Sequence, residues 1–249
     1  MADWNDTEQR RTGFSSVPRA GDAVARRETF DAGLRSHMLS IYNYMASGVL
    51  LTGIVAMLTA RSGFAYTLAQ GGLLFWVVAL APLGFVFAMS FGAHKFSRST
   101  LQAMFWGFAI AMGLSLSSLL LVYTGESIAA TFFATAGAFA GLSLFGYTTK
   151  KDLSGFGTFL VMGVIGLIIA MVINIFLQSS MLELAISFLG VLIFAGLTAY
   201  DTQRLKREYQ HLRGTEFAGK AIILGALSLY LDFINMFLFL LRFMGVNRE

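Results

Sequence analysis

Ala221–Phe243 reads AIILGALSLYLDFINMFLFLLRF, a stretch that is apolar apart from Tyr230 and four plainly polar side chains, Ser228, Asp232, Asn235 and Arg242. About 20 apolar residues suffice for an α-helix to cross the hydrocarbon core of a bilayer. The four polar residues stand at i, i+4, i+7 and i+14, so they share one face of such a helix. Lipid cannot satisfy those groups, so the helix belongs inside a bundle with this face against protein or water. An acidic side chain at membrane depth is costly, and it persists where it faces a protein interior or an aqueous cavity. Asp232 is therefore a candidate functional residue.

The preceding apolar segment ends Thr198-Ala199-Tyr200-Asp201-Thr202-Gln203-Arg204-Leu205-Lys206, and Asp201 is its only acidic residue close to the membrane interior. The other 12 of the 14 acidic residues fall in tails, loops or segment ends. Two neighbouring carboxylates cannot both ionise cheaply, so a pair shares a proton and titrates as a unit. Ionised, the same pair offers the hard oxygen ligands that Ca²⁺ prefers, so proton and calcium compete for it. The depths are in tension. At about 1.5 Å per residue, Asp232 lies about 18 Å in from Lys220, and Asp201 only about 5 Å from Arg204. The two meet if one helix begins above the membrane plane, if the other tilts, or if an aqueous vestibule reaches down.

Further outward, apolar runs recur at Met38–Ala60, Leu73–Gly92, Leu101–Tyr123, Ser127–Tyr147, Gly157–Leu177 and Leu182–Thr202. With Ala221–Phe243 these make seven spans joined by short connectors, which predicts one all-α integral membrane bundle over residues 34–249. The composition agrees: 56% of residues are hydrophobic, 13% charged, and the mean hydropathy is +0.68. Residues 1–33 are polar and rich in both charge signs, without the apolar core of a secretory signal. They read as a partly disordered cytoplasmic tail. Lys and Arg alternate sharply, 15 on the side of the N-terminus and 3 on the other. That bias predicts a cytoplasmic N-terminus and a C-terminus outside. The net charge of +4 is met by anionic lipid and calls for no nucleic acid. Gly137 and Gly141 form a small-xxx-small pair expected to pack helices inside the bundle, and Pro82 is expected to kink the second span.

Enzymatic chemistry finds no foothold. The chain has no cysteine, no phosphate-binding loop, no zinc helix motif and no serine elbow. His37, His94 and His211 are scattered, unlike a ligand set. Tyr200-Asp201 matches half the signature of an intramembrane aspartyl protease, but Leu231-Asp232-Phe233 lacks the glycines of the other half. No cofactor is expected beyond Ca²⁺ as a permeant or bound ion.

The strings YDTQRLK (Tyr200–Lys206) and LSLYLDFINMFLFLLRF (Leu227–Phe243) resemble the last two helices of the Bax inhibitor-1 family (TMBIM proteins), bacterial branch. The resemblance implies seven helices with the last one central, in the bacterial inner membrane. It implies that Asp201 and Asp232 form a paired-aspartate pH sensor at the cytoplasmic mouth of a closed pore, linked to a calcium leak. Arg242 corresponds to an arginine able to neutralise a carboxylate in the pore. Calcium-leak members also carry an arginine at the cytoplasmic end of the second helix that latches onto the helix-six aspartate. An ungapped reading places His94 and Lys95 there and Arg98 a turn later, so the latch falls on one of these or is absent. The second helix has no acidic residue, where those members can use a glutamate. The rival implication is a regulator that binds a membrane-anchored AAA protease through the N-terminal tail.

Overall fold

The computed structural model describes residues 20–248, with side chains from residue 30 onward. Its helices are α1 (Ala20–Arg61), α2 (Phe64–Ala69), α3 (Leu73–Gly92), α4 (Arg98–Leu116), α5 (Leu119–Val122), α6 (Gly125–Thr148), α7 (Ser154–Leu177), α8 (Ser180–Leu212) and α9 (Ala218–Met244). Counting α4 and α5 together, seven of the described segments are long and apolar enough to cross a membrane. The protein is an all-α integral membrane protein. By its internal contacts the chain divides after Ser36, and the bundle lies within His37–Glu249. Because α1 begins at Ala20, residues 20–33 of the expected tail are helical. Residues 1–19, which make up most of that tail and of the protease handle, lie outside the described residues.

The last helix is the axis. Of its most apolar stretch 67% is buried, against 33% or less for every other span. It packs on α8, α6, α4 and α3. Its large side chains run around the whole cylinder, with Tyr230, Phe233, Ile234, Met236 and Leu241 all buried, as expected of a helix surrounded by others. The outer helices show the converse. On α7, Phe159, Ile165, Ile168 and Phe176 are exposed, an apolar surface that only lipid can cover.

Three details depart from the sequence reading. Helix α8 does not stop at Thr202 but runs to Leu212. Its continuation is amphipathic, with Leu205 and Tyr209 buried one turn apart and charged residues elsewhere, so hydropathy alone misses it. The third span is interrupted: Ser117 Oγ donates to Leu114 O at 2.7 Å and Ser118 Oγ to Ser115 O at 3.3 Å, where α4 gives way to α5. Gly137 and Gly141 are exposed, with no atom within 4 Å of where a Cβ would stand, so they form no packing face in the bundle. The inner face of α6 is Thr131, Thr135, Phe139, Ser143 and Gly146. Hydroxyls must find partners in protein, so that face turns in and the glycines, which carry no polar side chain, stay out.

Two ties hold the ends of α9. Beyond its C-terminus, Thr124 N donates to Val246 O (3.0 Å), Arg248 N to Val122 O (2.8 Å) and Val246 N to Ser127 Oγ (2.9 Å), clasping the chain to the α5–α6 connection. At its start, Lys220 Nζ donates to Ala93 O at 3.3 Å, just past the end of α3.

Candidate functional site

The extension of α8 resolves the tension in depth. Asp201 lies 11 residues before Leu212, about 16 Å along the helix, and Asp232 lies 14 residues after Ala218, about 21 Å. Antiparallel neighbours of those dimensions bring the two carboxyls level. Gly225 lets the helices close: a Cβ there would stand 2.8 Å from Leu205 Cδ2 and 3.2 Å from Ile41 Cδ1. Gly225, Ser228 and Asp232 share one face of α9, at i, i+3 and i+7, so the close approach at the first carries the other two onto α8. On the opposite side of α8, Gly146 of α6 sits against the Ala199 backbone with no room for a side chain.

Asp201 and Asp232 are each only 5% exposed, and the two carboxyls are close enough to feel one another's charge. Two carboxyls buried this close to one another are cheapest with one proton between them. Ser228 Oγ donates to Asp201 Oδ2. Arg204 Nη2 donates to Ser228 Oγ at 3.0 Å and stands 3.2 Å from Asp201 Oδ2, while its Nε is 3.4 Å from Glu208 Oε1. Among the described residues, Asp232 Oδ2 is buried with no hydrogen-bond partner. With one proton shared, the pair carries a single negative charge, which Arg204 matches. Removing that proton leaves a second buried charge without a counter-ion, which a low-dielectric interior strongly disfavours.

The other expected residues lie elsewhere. Asn235 is half-buried one turn from Asp232, and its Nδ2 donates to Leu231 O at 2.8 Å. Arg242 is ten residues from Asp232, about 15 Å along the helix. It is exposed, its guanidinium 5.9 Å from the Phe239 ring and its Nη1 4.0 Å from Met171 Sδ. His94, Lys95 and Arg98 are exposed near the start of α9, with His94 stacked on Phe217 (5.4 Å) and the Arg98 side chain against Gly219. The structure does not bring them to Asp201. Among the described residues, the cation within ion-pair distance of Asp201 is Arg204, from the same helix. Its i, i+3 spacing was the available signal.

Two supports had no sequence signal. Gln203 is buried, and its amide bridges the α6–α7 connection, accepting from Leu153 N (2.9 Å) and donating to Lys151 O (2.7 Å). Tyr42, Ser143 and Thr202 form a hydroxyl chain across α1, α6 and α8, at 2.5 and 2.8 Å. In the same connection, hydrogen bonds from Ser154 and the Arg207 guanidinium hold the Asp152 carboxyl down to about 2.

Seven apolar spans around a buried last helix, with two carboxyls closed between that helix and its predecessor, define a polytopic membrane protein with an intramembrane carboxyl pair. The chain belongs to the Bax inhibitor-1 family: the family described as inhibitor of apoptosis-promoting Bax1 matches residues 34–249. It is 52% identical over 229 residues to an uncharacterized protein of Caulobacter vibrioides, covering 88% of this chain and 92% of that one. It is 44% identical over 234 residues to the inner membrane protein YbhL of Escherichia coli, covering 93% and 98% respectively. An uncharacterized protein of Rickettsia prowazekii is 44% identical over 226 residues, covering 91% and 96%.

Proposed function

We propose that this protein is a proton-sensitive cation leak pathway of the bacterial inner membrane, with calcium as the ion it passes and the Asp201–Asp232 pair as its sensor. The observation that carries this reading is the buried carboxyl pair matched in charge by Arg204, with Asp232 Oδ2 left without a partner. Such a cluster changes its net charge when a single proton comes or goes, and a buried change of charge is large enough to move helices. When both carboxyls ionise and Arg204 swings out toward solvent, where its side chain is already 37% exposed, the oxygens of Asp201, Asp232 and Ser228 face one another. That set falls short of the six to eight oxygens of a resident calcium, so water completes the shell, as suits an ion in transit. The name of the E. coli relative supports the inner membrane as the location. The excess of Lys and Arg on one side supports a cytoplasmic N-terminus.

The test is calcium flux into proteoliposomes across pH for the wild type, Asp201→Asn and Asp232→Asn. Wild-type flux is expected to change with pH, and each substitution to flatten that response. Absence of flux at every pH would end the leak reading, and an unaltered response in both variants would end the sensor assignment.

A further inference from the structure

Lined in part by Phe233, the neighbour of Asp232 in sequence, a cavity of about 240 Å³ lies among α1, α4, α5, α6 and α9. Its walls include Val49, Gly53 and Met57 of α1, and Phe233, Phe237 and Leu241 of α9. Each of these walls spans eight residues, about 12 Å of helix. An elongated apolar space of that height suits a slender, flexible chain better than a helix about 10 Å across.

Water does not suit the space. A buried water needs two to four polar partners. The one polar side chain in the lining is Thr52, whose Oγ1 is taken by Ala109 O (2.8 Å) and the Tyr230 hydroxyl (2.7 Å). An empty space of this size would forfeit dispersion contacts along its whole lining. The cavity lies within the spans, and its rim includes Met57 and Phe132, which are 42% and 37% exposed on the lipid-facing surface. The medium at its mouth is therefore hydrocarbon.

Charge sits where a headgroup would be. Gly53, Met57 and Arg61 stand at i, i+4 and i+8 on one face of α1, so Arg61 is one turn beyond the rim, at the end of the span. Arg61 is exposed and makes no hydrogen bond or ion pair among the described residues. We infer that this cavity is a phospholipid site, holding one acyl chain against the central helix while Arg61 meets the lipid phosphate. The inference stands independently of any ion conduction.

The full-length protein is placed in nanodiscs of phosphatidylglycerol carrying a diazirine in its acyl chain, irradiated, and its adducts are mapped by mass spectrometry. Ile234 and Phe237 line the cavity yet are only 5% and 8% exposed, so label on them has to enter through it. They should be labelled, together with fully lipid-facing Phe176 as the reference. Gly53→Leu places a side chain in open space within the cavity, since no atom lies within 4 Å of a Cβ there. By steric exclusion it should lower labelling of Ile234 and Phe237 several-fold and leave Phe176 unchanged. Leu120→Trp fills the same space from α5 and should act alike if Gly53→Leu does not fold. Arg61→Gln should reduce cavity labelling several-fold. Label on Ile234 and Phe237 no higher than on buried Leu101, or undiminished by the filling substitutions, would overturn the site. Labelling indifferent to Arg61→Gln would overturn the phosphate contact.

Discussion

At the scale of residues, the site is held by Ser228 as much as by its carboxyls. Its hydroxyl donates to Asp201 and accepts from Arg204, joining the two helices through one oxygen. Ser228→Ala removes a hydrogen bond to charged groups and should cost about 1.5–3 kcal/mol, read as a fall in Tm in detergent. Asp152 supplies the internal control for pH. Its carboxyl is held down to about 2 from an ordinary value of 3.8, so its tie to Arg207 is fully present above pH 3.8 and is lost only as pH falls through about 2. Asp152→Asn should therefore leave the pH response of flux between pH 5 and 8 where it is in the wild type, by the same proteoliposome measurement. Sequence reading found both aspartates because carboxylates are rare in apolar segments. The family resemblance placed the latching cation on another helix, whereas Arg204 lies one turn along from Asp201. The contact of Arg204 with Ser228 depends on tertiary packing, which spacing does not encode.

At the scale of elements, the pairing depends on how closely α8 and α9 approach. Gly225→Leu should push them apart, since the space a Cβ would need is occupied by Leu205 and Ile41. The expected result is a flattened pH response with both aspartates intact. The wild type has no cysteine, so a cysteine pair introduced at the facing ends of α8 and α9 would report the separation by its crosslinking yield. Gln203→Ala unpins the α6–α7 connection, leaves Leu153 N and Lys151 O without their partner, and should cost about 1–3 kcal/mol, with faster amide exchange at Leu153. All seven spans were legible as apolar runs. The last three turns of α8 were not, because their buried residues alternate with charges, and the break at Ser117–Ser118 was not, because two serines in an apolar run do not by themselves end a helix. Gly137 and Gly141 misled because a small-residue motif marks where helices can approach and leaves open which face does.

For the whole molecule, the Lys and Arg asymmetry makes an independent prediction of orientation: alkaline phosphatase fused after Arg248 should be active, and fused in the α8–α9 loop it should be inactive. The central position of α9 was implied by the family resemblance, and that its polar stripe turns into the bundle could be read from its residues, since lipid would not accept it. The ties at its two ends could not, since they are backbone and lysine contacts with residues distant in the chain. Those ties bear on how the protein moves. A helix clasped through Val246 and Arg248 at one end and held by Lys220 at the other is not free to slide as a piston or to unscrew. A change of charge at the carboxyl pair would then be taken up by α8, which carries Asp201 and Arg204 and shares in neither tie.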